Sequence, residues 1–419
     1  MSRWRIDVGL YALAAVFAGL TVVISSIPLY RTWGQGAAGV YAAAAVASLL
    51  LARIARRRPR AARWGRGLVL VAVALAATVL PLLVQADLAT DGNPAAHSQP
   101  EVRVVERAGA RLASDQSLYP VVTPGSPYQE IFPYLPAMAV FGLPSTLAHR
   151  AGHQGPFGDA RVAWGVATLL FVGLALSLAP PGEARFRALA LMTALPTAAL
   201  PLSTGGDDLP VLAGLLLGLV LLHRRRPGLA GLALGAAAAL KFTAWPILLL
   251  APLVARDRTG RRKRASAWLA AAAGAVMLPT LLPSAISDPA GFVQNVIRFP
   301  LGLAGVASPA ASPLLGHLLV DAFPGMHRFY VVLLAVAGVL TLAALGWWLW
   351  TRDDGGVAAL AGSVGLGALL AIVLAPATRF GYLVYPVDLV AWWWMLGGRL
   401  PRRRNARPTE VPEVSLASA

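Results

Sequence analysis

Runs of about 20 consecutive apolar residues recur along this chain, and each is long enough as a helix to cross roughly 30 Å of hydrocarbon. A soluble protein of this size has no interior that could hide so many of them, and the runs do not alternate as the strands of a membrane barrel would. The sequence therefore predicts an all-α, polytopic integral membrane protein. Hydrophobic residues make up 57% of the 419 and charged ones only 13%, so chemistry is to be sought where the few polar residues gather. The absence of cysteine excludes disulfides, thiolate metal sites and a cysteine nucleophile. A net charge of +17 would suit nucleic acid, but the arginines cluster in short stretches between apolar runs. That is the pattern of cytoplasmic loops beside anionic lipid, so membrane lipids are the expected partners and nucleic acid is not.

Taken in order, the chain predicts a first, uncleaved span near residues 8–29, since Ile27-Pro28-Leu29-Tyr30 is too bulky for a signal-peptidase site. A second span lies near 37–53. ARIARRRPRAARWGRG follows, with seven arginines from residue 53 to 66, and orients the chain with this loop inside. Further spans are expected near 67–86, 162–180, 188–203, 208–222, 266–284, 329–350, 356–375 and 381–397. Residues 228–255 are too few for two full crossings between basic stretches and read as a short or re-entrant hairpin with Lys241 at its midpoint. Counting that hairpin as two gives about 12 transmembrane helices with both termini cytoplasmic, placed in the plasma membrane. Of 36 Lys and Arg, 26 then fall on inner segments and nine on outer ones, with Lys241 in the hairpin. The organisation is a two-helix N-terminal extension with its Arg-rich loop (1–66), a membrane domain (67–397) and a basic, disordered tail (398–419).

One long polar interval, residues 87–161, falls outside. Within it, residues 101–113 have helical spacing. Val102, Val105 and Leu112 share one face and Arg103, Arg107 and Arg111 another, which predicts an amphipathic helix on the membrane surface. Gly109 inside it costs about 1 kcal/mol relative to alanine. YLPAMAVFGLP, residues 134–144, is apolar but too short to span and reads as re-entrant or interfacial.

Few residues stand out as chemically competent. Glu101 heads the amphipathic helix, where a carboxylate can take a proton from an attacking hydroxyl. The same position would stabilise a helix N-terminus or pair with Arg103 or Arg107. Asp207 and Asp208, in STGGDD at an outer tip, can bind sugar hydroxyls or a divalent cation; equally, they can cap the helix that begins at Leu209-Pro210. Lys241 is a charge at membrane depth, functional unless it snorkels to the interface. Arg379, in APATRFGYLVYP, offers a phosphate-matching fork or serves as an interfacial anchor, and Arg298 is a weaker version of the same case. No P-loop, dinucleotide fingerprint, nucleophile elbow or histidine metal spacing is present.

EVRVVERAGARLASDQSLYP followed by FPYLPAMAVFGLP, then GLAGLALGAAAALKFTAWPILLLAP with Lys241 near its bend, and later Arg379 with Tyr382, form a pattern. It resembles glycosyltransferase family 87, integral-membrane α-mannosyltransferases of the GT-C class, over about residues 67–397. Glu101 stands where the family has aspartate, two additional spans precede the outer loop, and STGGDD replaces a G-Q/N-type element. The resemblance implies a GT-C-like fold and transfer of a hexose, mannose in the family, from a polyprenyl-phosphate-sugar donor to a lipid or glycan acceptor on the outer face, with inversion. Glu101 would be the base. Arg379, with Lys241 or Arg298, would hold the departing phosphate, and Asp207, Asp208, Tyr128, Tyr134 and Tyr382 would contact substrate. No cofactor is required, although a divalent cation is compatible.

The alternative is a transporter or flippase of lipid-linked glycan intermediates. It should show broken helices in matching positions of two halves. Only one short hairpin is visible, and a scaffold role leaves the polar interval unexplained.

Overall fold

The computed structural model describes residues 3–398 apart from 91–92, 122, 124, 154 and 352–355; the predicted tail beyond 398 lies outside the described residues. Thirteen helices carry the argument: α1 (Arg3–Ile24), α2 (Pro28–Ile54), α3 (Pro59–Leu88), α4 (Pro100–Leu112), α5 (Ala160–Leu178), α6 (Glu183–Thr204), α7 (Leu209–His223), α8 (Pro227–Leu240), α9 (Trp245–Val254), α10 (Arg262–Ser287), α11 (Pro324–Thr351), α12 (Val357–Leu374) and α13 (Val384–Met395). The protein is an all-helical polytopic membrane protein. Among the described residues, eight helices are long and apolar enough to cross a membrane: α1, α2, α3, α5, α6, α10, α11 and α12. Of the expected twelve, α7, α8, α9 and α13 are shorter than these eight. The 15 residues of α7 rise only about 22 Å. Leu209 to Leu222 of α7 are all buried, so this helix is apolar on every side because protein surrounds it.

Prolines shape the long helices, and other helices repair what the prolines leave open. Pro81 has no N–H to give the carbonyl of Ala77, four residues back, and α3 runs as a π-helix over Ala74–Val79. Trp33 Nε1 on α2 donates to that Ala77 oxygen at 2.9 Å, and Thr78 Oγ1 donates to Thr193 O at 2.9 Å. Tyr41 donates to Ala194 O, at the interruption of α6, at 2.7 Å. These bonds and the cluster of Tyr11, Trp33, Tyr41, Leu70 and Leu195 weld the α1–α2 extension to α3 and α6.

Two arginines counted as orientation markers have a different task. Arg66 donates to Asp7 at 2.6 Å and to Glu183 at 2.7 and 2.8 Å, and stacks 3.8 Å over the Phe186 ring. Arg187 pairs with the same Asp7, which is 1% exposed. A buried aspartate thus has two guanidinium partners, as a buried charge requires.

The amphipathic helix forms where expected, but it does not lie on lipid. Val102, Val104, Val105 and Ala108 of α4 are buried against the protein itself, largely the 3-10 segment Pro136–Gly142. Gly109 makes this possible. A Cβ there would sit 2.3 Å from the Gly142 carbonyl carbon, and one on Gly142 would sit 2.1 Å from Val105 O. The glycine that weakens the helix in isolation is the point of closest backbone approach. Residues 134–144 do not span; they pack under α4 and beside α8, with Leu135 N donating to Leu240 O at 3.2 Å.

Candidate functional site

Five separate stretches converge on one cluster. Pro100 opens α4 at its first position, where a missing N–H costs nothing, and sets Glu101 in the first turn. Gln99 fixes that turn, its N–H donating to Thr204 O at 2.8 Å and its side-chain amide to Thr204 Oγ1 at 2.8 Å and Tyr30 OH at 2.9 Å. Gly205 then reverses the chain at φ +115°, and a Cβ there would meet Val102 Cγ2 at 2.5 Å. Asp207 and Asp208 follow that turn.

Lys241 sits where α8 stops. Its backbone is extended, at φ −156° and ψ 143°, a 3-10 turn over Phe242–Ala244 follows, and Pro246 occupies the start of α9. Trp245 Nε1 caps the freed Ala238 carbonyl at 3.0 Å. The lysine side chain is only 13% exposed and does not snorkel: Nζ donates to Asp207 Oδ1 at 2.9 Å and Asp208 Oδ1 at 2.6 Å. It also lies 5.4 Å from the Tyr134 ring and 5.5 Å from that of Tyr382. Asp208 further accepts from Tyr385 OH at 2.7 Å, which is itself 2.7 Å from Thr243 Oγ1. The capping role expected of Asp207 and Asp208 is thereby corrected. Asp208 stands before α7 but makes no side-chain bond to the helix N–H groups, because both carboxylates are engaged by Lys241.

Arg379 is positioned by a short bridge. Thr378 N donates to Ala310 O and Ser312 N to Thr378 O, at 2.8 and 2.9 Å, and Phe380 N donates to Ser312 Oγ at 3.1 Å. From there Arg379 donates to Glu101 Oε1 at 2.6 Å. Glu101 therefore pairs with neither Arg103 nor Arg107, whose side chains leave the opposite side of α4; Arg107 donates to Gln129 O. Burial opposes the charge on Arg379, but the Glu101 carboxylate, with Tyr382, holds its pKa above the usual value. Two carboxylate oxygens in the cluster, Glu101 Oε2 and Asp207 Oδ2, are buried with no hydrogen-bond partner among the described residues. Burial pushes the Asp207 carboxyl up against the pull of Lys241, and pushes the Tyr134 and Tyr382 phenols up so that they remain neutral donors.

Seven expected site residues thus meet: Glu101, Tyr134, Asp207, Asp208, Lys241, Arg379 and Tyr382. Two do not. Arg298 is exposed and donates to Gln294 Oε1 at 3.3 Å, because Asn295 on the same turn is tied down by Phe132, Pro120 and Gly291. Tyr128 packs on the small cluster of Ile131, Phe299 and Ala304. Tyr385, Thr243, Gln99 and Tyr30 were not anticipated. Only Tyr385 carried a signal, its i, i+3 spacing from Tyr382 at the start of a helix. Among the described residues, no group of three or more His, Asp or Glu could hold a metal ion.

No protein of curated function matches the sequence. Two solved structures are similar in shape, both of ArnT from Cupriavidus metallidurans. The form bound to undecaprenyl phosphate aligns at 18% identity and TM-score 0.46, over 79% of this chain and 60% of that one. The apo form aligns at 17% and 0.45, over 80% and 60%. The chain thus spans less than two thirds of their length. The model of glycosyltransferase family 87 matches residues 132–376. Tyr134, Asp207, Asp208 and Lys241 lie within that stretch, and Glu101 and Arg379 flank it on either side. With more than half of its length so matched, the chain belongs to glycosyltransferase family 87.

Proposed function

We propose that this protein transfers a hexose, mannose by family resemblance, from a polyprenyl-phosphate donor to a hydroxyl of a lipid or glycan acceptor at the outer face of the plasma membrane. The observation that carries this reading is the part-buried Glu101–Arg379 pair, with one glutamate oxygen left free. The Lys241–Asp207–Asp208 group carries one net negative charge when all three are ionised, so Lys241 is spent on its own carboxylates. Arg379 is then the cation that receives the donor phosphate, and Lys241 holds the two aspartates in place to bind sugar hydroxyls. The phosphate competes with Glu101 for the guanidinium, whose fork binds carboxylate and phosphate oxygens alike. Donor binding thereby releases Glu101 and turns a paired carboxylate into an available base. Glu101 takes the acceptor proton as the acceptor oxygen bonds to the anomeric carbon from the face opposite the phosphate. The carbon–oxygen bond to phosphate breaks, and polyprenyl phosphate leaves with the electron pair. Attack from the opposite face inverts the anomeric centre. The orientation with both termini inside, favoured by the 26-to-nine arginine and lysine split, puts this cluster on the outer side.

The test is transfer from a polyprenyl-phosphate hexose by purified protein in liposomes. Glu101→Gln keeps a bond to Arg379 but cannot take a proton, and it should slow transfer by about 10²–10⁴. Near-normal turnover in that variant, with donor and acceptor saturating, removes Glu101 as the base.

A further inference from the structure

We infer that Tyr30, from the α1–α2 extension, contacts the acceptor and helps to select it; this rests on the proposed transferase reading. Tyr30 stands in the first turn of α2, outside the stretch matched by the family model. Its hydroxyl oxygen accepts from Gln99 Nε2 at 2.9 Å, which fixes the phenol beside the first turn of α4. The ring is half-buried. The bond from Gln99 uses a lone pair, so the Tyr30 O–H hydrogen remains free to donate.

The direction of that bond matters. A phenol that only anchored Gln99 would be finished once it had accepted. This one, held by Gln99, keeps a donor; Gln99 directly precedes the helix whose first turn carries the carboxylate proposed to deprotonate the acceptor. A polyhydroxylated acceptor presents several hydroxyls within a few ångströms of one another. One of them gives its proton to Glu101, and a neighbouring oxygen then accepts from Tyr30. The donor's phosphate is held by Arg379 in the same reading, so Tyr30 belongs to the acceptor side. The same extension is clamped at its far end by Asp7 to Arg66 and Arg187, and at its middle by Trp33 to Ala77. It therefore presents Tyr30 from a rigid wall, as a selective contact requires.

Tyr30→Phe keeps the ring and removes the donor. With initial rates measured against acceptor and donor separately, the acceptor KM should rise about three- to tenfold, the worth of one net hydrogen bond. The donor KM and kcat should stay within about twofold, and the detergent melting temperature within a few degrees. Gln99→Met separates the two roles, because it breaks the anchor and leaves the Tyr30 hydroxyl in place. If Tyr30 works only through Gln99, both variants shift the same parameters by the same factor, and the inference fails. An unchanged acceptor KM in Tyr30→Phe also overturns it while leaving the transferase reading intact. No transfer by the wild-type protein overturns the function itself, and this role with it.

Discussion

Glu101 and Arg379 are 278 residues apart in the chain and meet at 2.6 Å, with their side chains 15% and 27% exposed. One opens α4 and the other precedes α13, so the pair closes the site from both ends of the membrane domain. Arg379→Ala should cost about 2–5 kcal/mol in donor use, because it strands a part-buried carboxylate and removes the fork proposed to hold the donor phosphate. Arg379→Lys should recover only part of this, since an ammonium cannot bind bidentately. Donor KM and kcat against thermal stability is the measurement; unchanged kinetics in the alanine variant would take Arg379 out of the site.

Lys241 pairs with two aspartates at once, the buried Asp207 and the part-buried Asp208. Lys241→Met should destabilise the protein by about 3–5 kcal/mol, because uncompensated carboxylates are left in a low-dielectric interior. Adding Asp207→Asn should return a large part of that loss. A double-mutant cycle on detergent melting measures the coupling, and simple additivity would show that the three groups do not act as a unit.

Glu106 points away from Glu101 and packs at the start of α5, where Oε1 accepts from Ala160 N at 3.3 Å. Burial, reinforced by Asp159 and opposed by the Ala160 N–H and Arg161, pushes its carboxyl from 4.5 up to about 7. A raised carboxyl pKa means that the folded state holds the proton longer than the unfolded state does. This term is neutral below about 4.5, lowers stability as pH rises to about 7, and is then constant, with a span of roughly 3 kcal/mol at most. Glu106→Gln should flatten the difference in melting temperature between pH 5 and pH 8. Equal pH dependence in the two proteins would show that Glu106 does not titrate in this window.

The crossing of α4 over the Pro136–Gly142 segment depends on two facing glycines. Gly109→Ala should lower stability by at least about 1–3 kcal/mol, since the added carbon meets backbone that has no rotamer to change. On an isolated helix the same change would raise helicity by about 1 kcal/mol. The sign of the melting shift therefore reports whether the helices pack this closely.

Orientation can be read by single-cysteine labelling, because the native chain has no cysteine. Ser98 is buried at 5% exposure and is a poor choice, whereas Ala96 and Arg60 are both exposed. Ala96→Cys should react with impermeant maleimide from outside and Arg60→Cys only after the membrane is opened. The reverse pattern would invert the proposed topology.

The sequence by itself determined what depends on local composition. Apolar runs specify helices that lipid can surround, and α3, α5, α10 and α12 stand close to where those runs predict. Hydrophobic period placed a helix over 101–113, within a residue of α4, and the length between basic stretches put the middle of a hairpin at Lys241, where α8 stops, since such features are decided by a few neighbouring residues. The tertiary structure alone decided which charges are paired. Glu101 could have met Arg103 or Arg107 on its own helix and meets Arg379 instead; Asp208 had every local reason to cap α7 and bonds Lys241 and Tyr385. Likewise, α7 reads like its neighbours in hydropathy but is sheathed entirely in protein, and α4 is amphipathic toward a segment of its own chain. A carboxylate in a low-dielectric setting takes the partner that packing brings within about 3 Å, and that distance is set by the path of the whole chain, which local spacing does not encode.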